Sequence, residues 1–111
     1  MTEISFDSRN DFKEFIKSNA YVFARVSAKW CGPCKKINPL INKQIKELPQ
    51  DIKIVYIDYD KHRDVASFLK IKNVPTFLFF TRGNPDICLV GANPENVMKF
   101  FKQMAYKVEN K

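Results

Sequence analysis

Apolar residues occur along this chain in two kinds of run. In "AYVFARVSA" (residues 20–28), "IKIVYIDY" (52–59) and "PTFLFFT" (75–81) the runs read as buried strands, the first of them apolar on both parities, as a strand covered on both faces is. Pro75 stands first in its run, where a strand tolerates proline. Elsewhere the spacing changes to three and four. Phe12, Phe15 and Ile16 form a narrow stripe behind Asp7 or Ser8, either of which suits a helix cap. Ile37, Leu40, Ile41, Ile45 and Leu48 mark a longer helix from Pro33 to about Leu48. Pro39 lies inside it and is expected to bend it, because a mid-helix proline removes a hydrogen bond and crowds the preceding turn. A further helix is expected from about Lys61 to Leu69. A closing helix fits "NPENVMKFFKQMAYK" (93–107), with Pro94 in its first turn and Val97, Phe100, Phe101 and Met104 on its apolar face. "EISF" (3–6) reads as a short strand, "RGNP" (82–85) as a turn and "DICLV" (86–90) as a last strand.

The resulting order, β-α-β-α-β-α-β-β-α, predicts one α/β domain over residues 1–111. Its central mixed sheet should gain parallel neighbours from the crossovers and one antiparallel hairpin at the end, with helices on both faces. A chain of 111 residues is long enough to bury a core unaided. The 45% hydrophobic and 28% charged content is that of a globular protein. No apolar run approaches the roughly 18 residues of a membrane span, and "MTEISFDSRNDF" has neither the basic start nor the apolar stretch of a signal peptide. The expected compartment is therefore reducing and cytoplasmic. The net charge of +7 raises the question of nucleic acid. The cations are scattered from Arg9 to Lys111, and the longest basic run is Lys35-Lys36, so no nucleic-acid partner is expected. The charge still favours acidic partners.

The chemistry lies in "SAKWCGPCKK" (27–36). Cys31 and Cys34 stand where a buried strand gives way to a helix, so free backbone N–H groups and the helix dipole can stabilise a thiolate there. Gly32 accepts unusual backbone angles, and Pro33 presets the first helical turn. An exposed nucleophile beside a resolving thiol suits thiol–disulfide exchange. Other uses of the pair carry less weight. A structural staple fits poorly with 3 cysteines in a reducing compartment. A zinc site would need His62 and Cys88 as well, but these are isolated. His62 is expected at the surface and Cys88 as a packing residue of the last strand. An iron–sulfur cluster shared between subunits is the remaining option.

"WCGPC" at 30–34 after a buried strand, "VPT" at 74–76 and "VGAN" at 90–93 resemble the thioredoxin family, in order and over nearly the whole chain, Pro39 included. The resemblance implies a thioredoxin-like fold and a thiol–disulfide oxidoreductase that reduces disulfides in partner proteins. A thioredoxin reductase or a ferredoxin-type donor would recharge it. It implies a monomer with no cofactor beyond the redox disulfide. Cys31 would be the nucleophile and Cys34 the resolving thiol, with Trp30 shielding one side. Pro75 would be a cis proline packed on the disulfide, the Val74 backbone would pair with substrate, and Gly91 would complete an apolar contact patch. A more oxidising oxidase or isomerase of the same fold and a redox-independent binding module are the alternatives.

Two positions depart from the family pattern. Arg25 replaces a buried acid six residues before Cys31, and Tyr56 replaces the lysine that pairs with it. A guanidinium cannot serve as a base, but it can favour thiolates. At about 6 Å and an effective dielectric near 20 the attraction is on the order of 3 kcal/mol, enough to make the couple roughly 60 mV more oxidising. Arg25 either tunes the cysteines in this way or fills space and pairs with an acid such as Asp58 or Asp60.

Overall fold

The computed structural model describes residues 3–110. The elements are β1 (Glu3–Ile4), α1 (Arg9–Ser18), β2 (Tyr21–Ser27), α2 (Gly32–Glu47), β3 (Ile52–Asp58), α3 (Arg63–Phe68), β4 (Thr76–Thr81), β5 (Asn84–Val90) and α4 (Pro94–Glu109). They build a five-stranded sheet in the order β1-β3-β2-β4-β5. α2 and α4 cover one face through Ile37, Ile41, Phe100 and Phe101, packed on Phe23, Ile54 and Phe77. α1 and α3 cover the other through Phe12, Ile16 and Val65, packed on Val22, Val55 and Phe80. The two-parity runs thus became strands with a core on each side. Among the described residues no helix is long and apolar enough to cross a membrane.

Ser8, rather than Asp7, caps α1, its hydroxyl accepting from the N–H groups of Asn10 and Asp11. Pro39 lies inside α2 as expected. Two expectations need correction. The four-residue turn "RGNP" is a two-residue turn in which Arg82 and Gly83 take φ of 51° and 84°. Paired positive φ values match the twist of a tight hairpin, so Asn84 and Pro85 join β5. Pro85 is tolerated because β5 is an edge strand with an irregularity opposite Phe79/Phe80.

The sheet also holds more than one antiparallel pairing. β4 runs antiparallel to β2 as well as to β5, while β1, β3 and β2 are mutually parallel. α3 has 6 residues and rises only about 9 Å, whereas a 7-residue strand such as β3 is about 23 Å long. α3 therefore does not carry the chain back along the sheet, and β4 starts at the end where β3 stops.

Candidate active site

β2 and β3 deliver the chain to the same end of the sheet, where the Tyr59 N–H donates to the Ser27 carbonyl at 2.8 Å. Beyond Ser27 the backbone turns, with the Cys31 N–H donating to Ala28 at 3.1 Å. Cys31 then caps α2, and its sulfur accepts from the Cys34 N–H at 3.2 Å. This places the sulfur against the unsatisfied N–H groups and the positive end of the helix. The Cα atoms of Cys31 and Cys34 are 5.3 Å apart, and the sulfurs form a disulfide. In this oxidised state the nucleophile is not the exposed group expected. Cys31 is 3% and Cys34 1% exposed, because Ala28, Tyr59 and Val74 pack against them.

The other expected site residues converge on this pair. The Val74–Pro75 peptide is cis, and the Val74 carbonyl oxygen lies 3.7 Å from Cys31 Sγ. The Pro75 carbonyl accepts from the Gly91 N–H at 2.9 Å. Gly91 has φ of +104°, with nothing within 4 Å of the place a Cβ would occupy. Glycine therefore permits both the turn and an open contact surface beside Val74 and Pro75. Trp30 is 65% exposed and donates from Nε1 to Asp60 at 2.7 Å. Clefts flank the pair. One of about 280 Å³ is lined by Trp30, Tyr59, Lys72, Asn73 and Val74. Another of about 390 Å³ is lined by Gly32, Pro33, Lys36, Ile37, Ala92 and Pro94. The arrangement can form and break one disulfide at an accessible rim, with backbone groups at hand to hold a partner chain.

Arg25 finds neither of the acids expected for it. Its Nη2 donates to Glu3 Oε2 at 3.0 Å and its Nη1 to Asn42 at 3.1 Å. Nε lies 2.8 Å from Glu3 Oε1, a charge contact in which the N–H is not aimed at the oxygen. Arg25 and Tyr56 are register partners in adjacent strands, and the guanidinium sits 5.6 Å from the Tyr56 ring centroid. Burial pushes the Tyr56 phenol up from 10.0 and Asp58 adds to the shift, while Arg25 and the Ser27 hydroxyl oppose it. The two departures from the family pattern are therefore one rebuilt cluster, closed by Glu3 from β1.

Asp58 folds its carboxylate back onto the N–H groups of Asp60 and Lys61 and so leaves Arg25 alone. His62, expected at the surface, is buried. Its Nδ1 accepts from the Asp58 N–H at 2.8 Å, which puts the proton of the neutral ring on Nε2. Cys88, expected as a packing residue, is exposed on β5, because β5 is an edge strand. Local desolvation still pushes its thiol above the ordinary 9.0. Among the described residues no group of three or more His, Cys, Asp or Glu is arranged to hold a metal ion. Glu3, Asn42, Asp60 and Tyr59 were not singled out for these roles from sequence. None of the four carries a local signal, and Asp60 lies 30 positions from Trp30.

Residues 3–103 match the family described as Thioredoxin. The chain belongs to the thioredoxin family. It is 38% identical over 94 residues to Thioredoxin-2 of Pyricularia oryzae, covering 85% of this chain and 54% of that protein. The chain thus spans about half the length of that relative. It is 33% identical over 94 residues to mitochondrial Thioredoxin-3 of Saccharomyces cerevisiae, covering 85% of this chain and 73% of the yeast protein. The crystal structure of oxidised mitochondrial thioredoxin 3 from the same yeast superposes with a TM-score of 0.81 at 31% identity, over 91% of this chain and 94% of that one. Cys31 and Cys34 are the thioredoxin redox pair of this chain, and the helix cap on Cys31 and the Val74–Pro75 loop complete its surroundings.

Proposed function

We propose that the protein is a thioredoxin-type reductase of protein disulfides that cycles between the Cys31–Cys34 dithiol and disulfide. The observation that carries this reading is the capped pair itself, with the Cys34 N–H 3.2 Å from Cys31 Sγ and the sulfurs bonded across the first turn of α2. In the reduced protein the Cys31 thiolate attacks one sulfur of a partner disulfide. A mixed disulfide forms and the partner's other sulfur leaves as a thiolate. Cys34 then loses its proton and attacks Cys31 Sγ, which restores the internal disulfide and releases the second partner thiol. Two electrons and two protons pass to the partner. A dithiol donor such as a thioredoxin reductase reverses the change.

Trp30 shields one side of the sulfurs, and Gly32 with Pro33 keeps the other side open. The Val74 backbone pairs with the incoming chain, and Pro75 and Gly91 supply the flat apolar contact. Arg25 stands under the site with its charge largely offset by Glu3, which favours a reducing potential near the roughly −270 mV of thioredoxin over the oxidase or isomerase alternative. A cytoplasmic location is part of the proposal, and a dithiol reductase suits a reducing compartment.

The test is turnover of insulin disulfides with a chemical dithiol as donor. The wild type reduces insulin and Cys31→Ser does not. Cys34→Ser accumulates a covalent adduct through Cys31 that dithiothreitol releases. Absence of that adduct together with absence of turnover in the wild type refutes the reading. A biological role that survives in Cys31→Ser/Cys34→Ser would point to the binding module instead.

A further inference from the structure

The cleft beside Trp30 continues away from the redox pair. Tyr59 and Lys72 line it and also line an adjoining depression of about 380 Å³, whose walls include Arg63, Ser67 and Lys70. Together these form one groove from Val74 past Tyr59 to the end of α3. Its far half is cationic. Arg63, Lys70 and Lys72 are exposed, and among the described residues none of them is in an ion pair. The neighbouring acids are already engaged. Asp58 accepts two backbone N–H groups, Asp60 holds Trp30 and Asp64 is held by Arg9.

Lys70 adds an observation of its own. It stands in the left-handed region at φ 57°, at the turn that ends α3, where its N–H donates to Ser67 and the Ile71 N–H donates to Ala66, each at 3.0 Å. That position is one glycine fills most easily. A lysine there accepts backbone strain and places an ammonium group on the groove wall.

We infer that this groove binds the polypeptide on one side of a substrate's disulfide cysteine and selects acidic residues there. The inference rests on the reductase reading and narrows its substrates to disulfides flanked by Asp or Glu. An extended chain advances about 3.3 Å per residue. A segment paired with Val74 thus carries carboxylates a few positions from the cysteine over Lys72, then over Lys70 and Arg63. The net charge of +7 acts in the same direction during encounter.

Matched disulfide peptides test this. They share one length and carry Glu, Gln or Lys at the positions next to the cysteine, and the reduced protein is assayed on each at low and high salt. The Glu peptide is expected to react about tenfold faster than the Gln peptide at roughly 10 mM salt, and only about twofold faster at roughly 300 mM. The Lys peptide is expected to be slowest. Lys70→Glu/Lys72→Glu reverses the order. Lys70→Gly melts higher than the wild type, because the strain is relieved, yet loses part of the Glu preference, an outcome no folding defect imitates. Equal rates for the three peptides, or a Glu preference that survives the double reversal, overturns the inference and leaves the reductase standing. Failure to reduce any of the peptides overturns both.

Discussion

Replacing Glu3 by glutamine asks whether Arg25 acts on the cysteines or only holds the fold. The carboxylate meets Arg25 at 2.8 and 3.0 Å. For charge centres about 4 Å apart the attraction runs from about 1 kcal/mol in water to about 4 kcal/mol at an effective dielectric of 20. Arg25 is 13% exposed and Glu3 32%, so the pair lies between these limits, and its desolvation offsets part of the gain. The expected loss of stability is about 1–2 kcal/mol, or about 4–8 °C in melting temperature for a chain of this size. The substitution also leaves the guanidinium charge unopposed. At a distance of roughly 10 Å and a dielectric near 40 it would favour a thiolate by about 0.8 kcal/mol, which raises the potential of the couple by up to about 20 mV. The sign follows because the reduced form carries the thiolate and the disulfide carries no charge. Urea denaturation of the oxidised protein reads the first effect. Equilibrium with glutathione, quenched by alkylation and read by mass, gives the second. A lower potential in Glu3→Gln refutes the electrostatic argument. A fall in stability with a potential unchanged to within about 5 mV shows that Arg25 is a structural strut whose field does not reach the sulfurs.

Other expectations follow from single sites. Phe23 is fully buried, with the Phe101 and Phe100 rings 5.2 and 5.9 Å away, so Phe23→Ala should lose about 3–5 kcal/mol in urea denaturation; a loss below about 1 kcal/mol would mean the core collapses around the gap. Hydrogen bonds from the Arg9 backbone and side chain lower the Asp64 pKa below 3.8. The group contributes stability that is fully present above that value and is lost as pH falls through the lower folded-state value. The stability gap between wild type and Asp64→Asn should therefore be flat at neutral pH and close only in acid, and a gap that closes near neutrality would contradict the pairing. Desolvation raises the Cys88 thiol above 9.0, so in the reduced protein iodoacetamide near pH 8 should label Cys31 before Cys88; mass mapping that finds Cys88 first would contradict the assignment.

How far the sequence could be read depended on how local each signal was. Strands buried on both faces announce themselves within one run, and so did β2, β3 and β4. The "WCGPC" stretch carries its own cap, turn and helix start, so the chemistry of Cys31 and Cys34 needed no distant partner to be seen. Arg25 is the opposite case. Its acid lies 22 positions away in a two-residue strand, and no periodicity links them. His62 was misplaced for a related reason: a polar ring at the start of a helix looks solvated until one sees the Asp58 N–H turned toward it.

The missed direction of β4 is the most instructive failure, because the site depends on it. Val74 and Pro75 immediately precede β4, whereas Cys31 follows β2. If neighbouring β2 and β4 were parallel, the start of β4 would lie at the opposite end of the sheet from the end of β2, about a strand's length from the disulfide. The antiparallel register sets Val26 opposite Thr76, and Thr76 in turn opposite Val90. That register brings the Val74 carbonyl within 3.7 Å of Cys31 Sγ and Gly91 onto Pro75. A resemblance that assigned Pro75 to the disulfide therefore already required β4 to oppose β2. A helix between two strands suggests a crossover, but the six residues of α3 span less than half the length of the seven-residue β3 and do not carry the chain back.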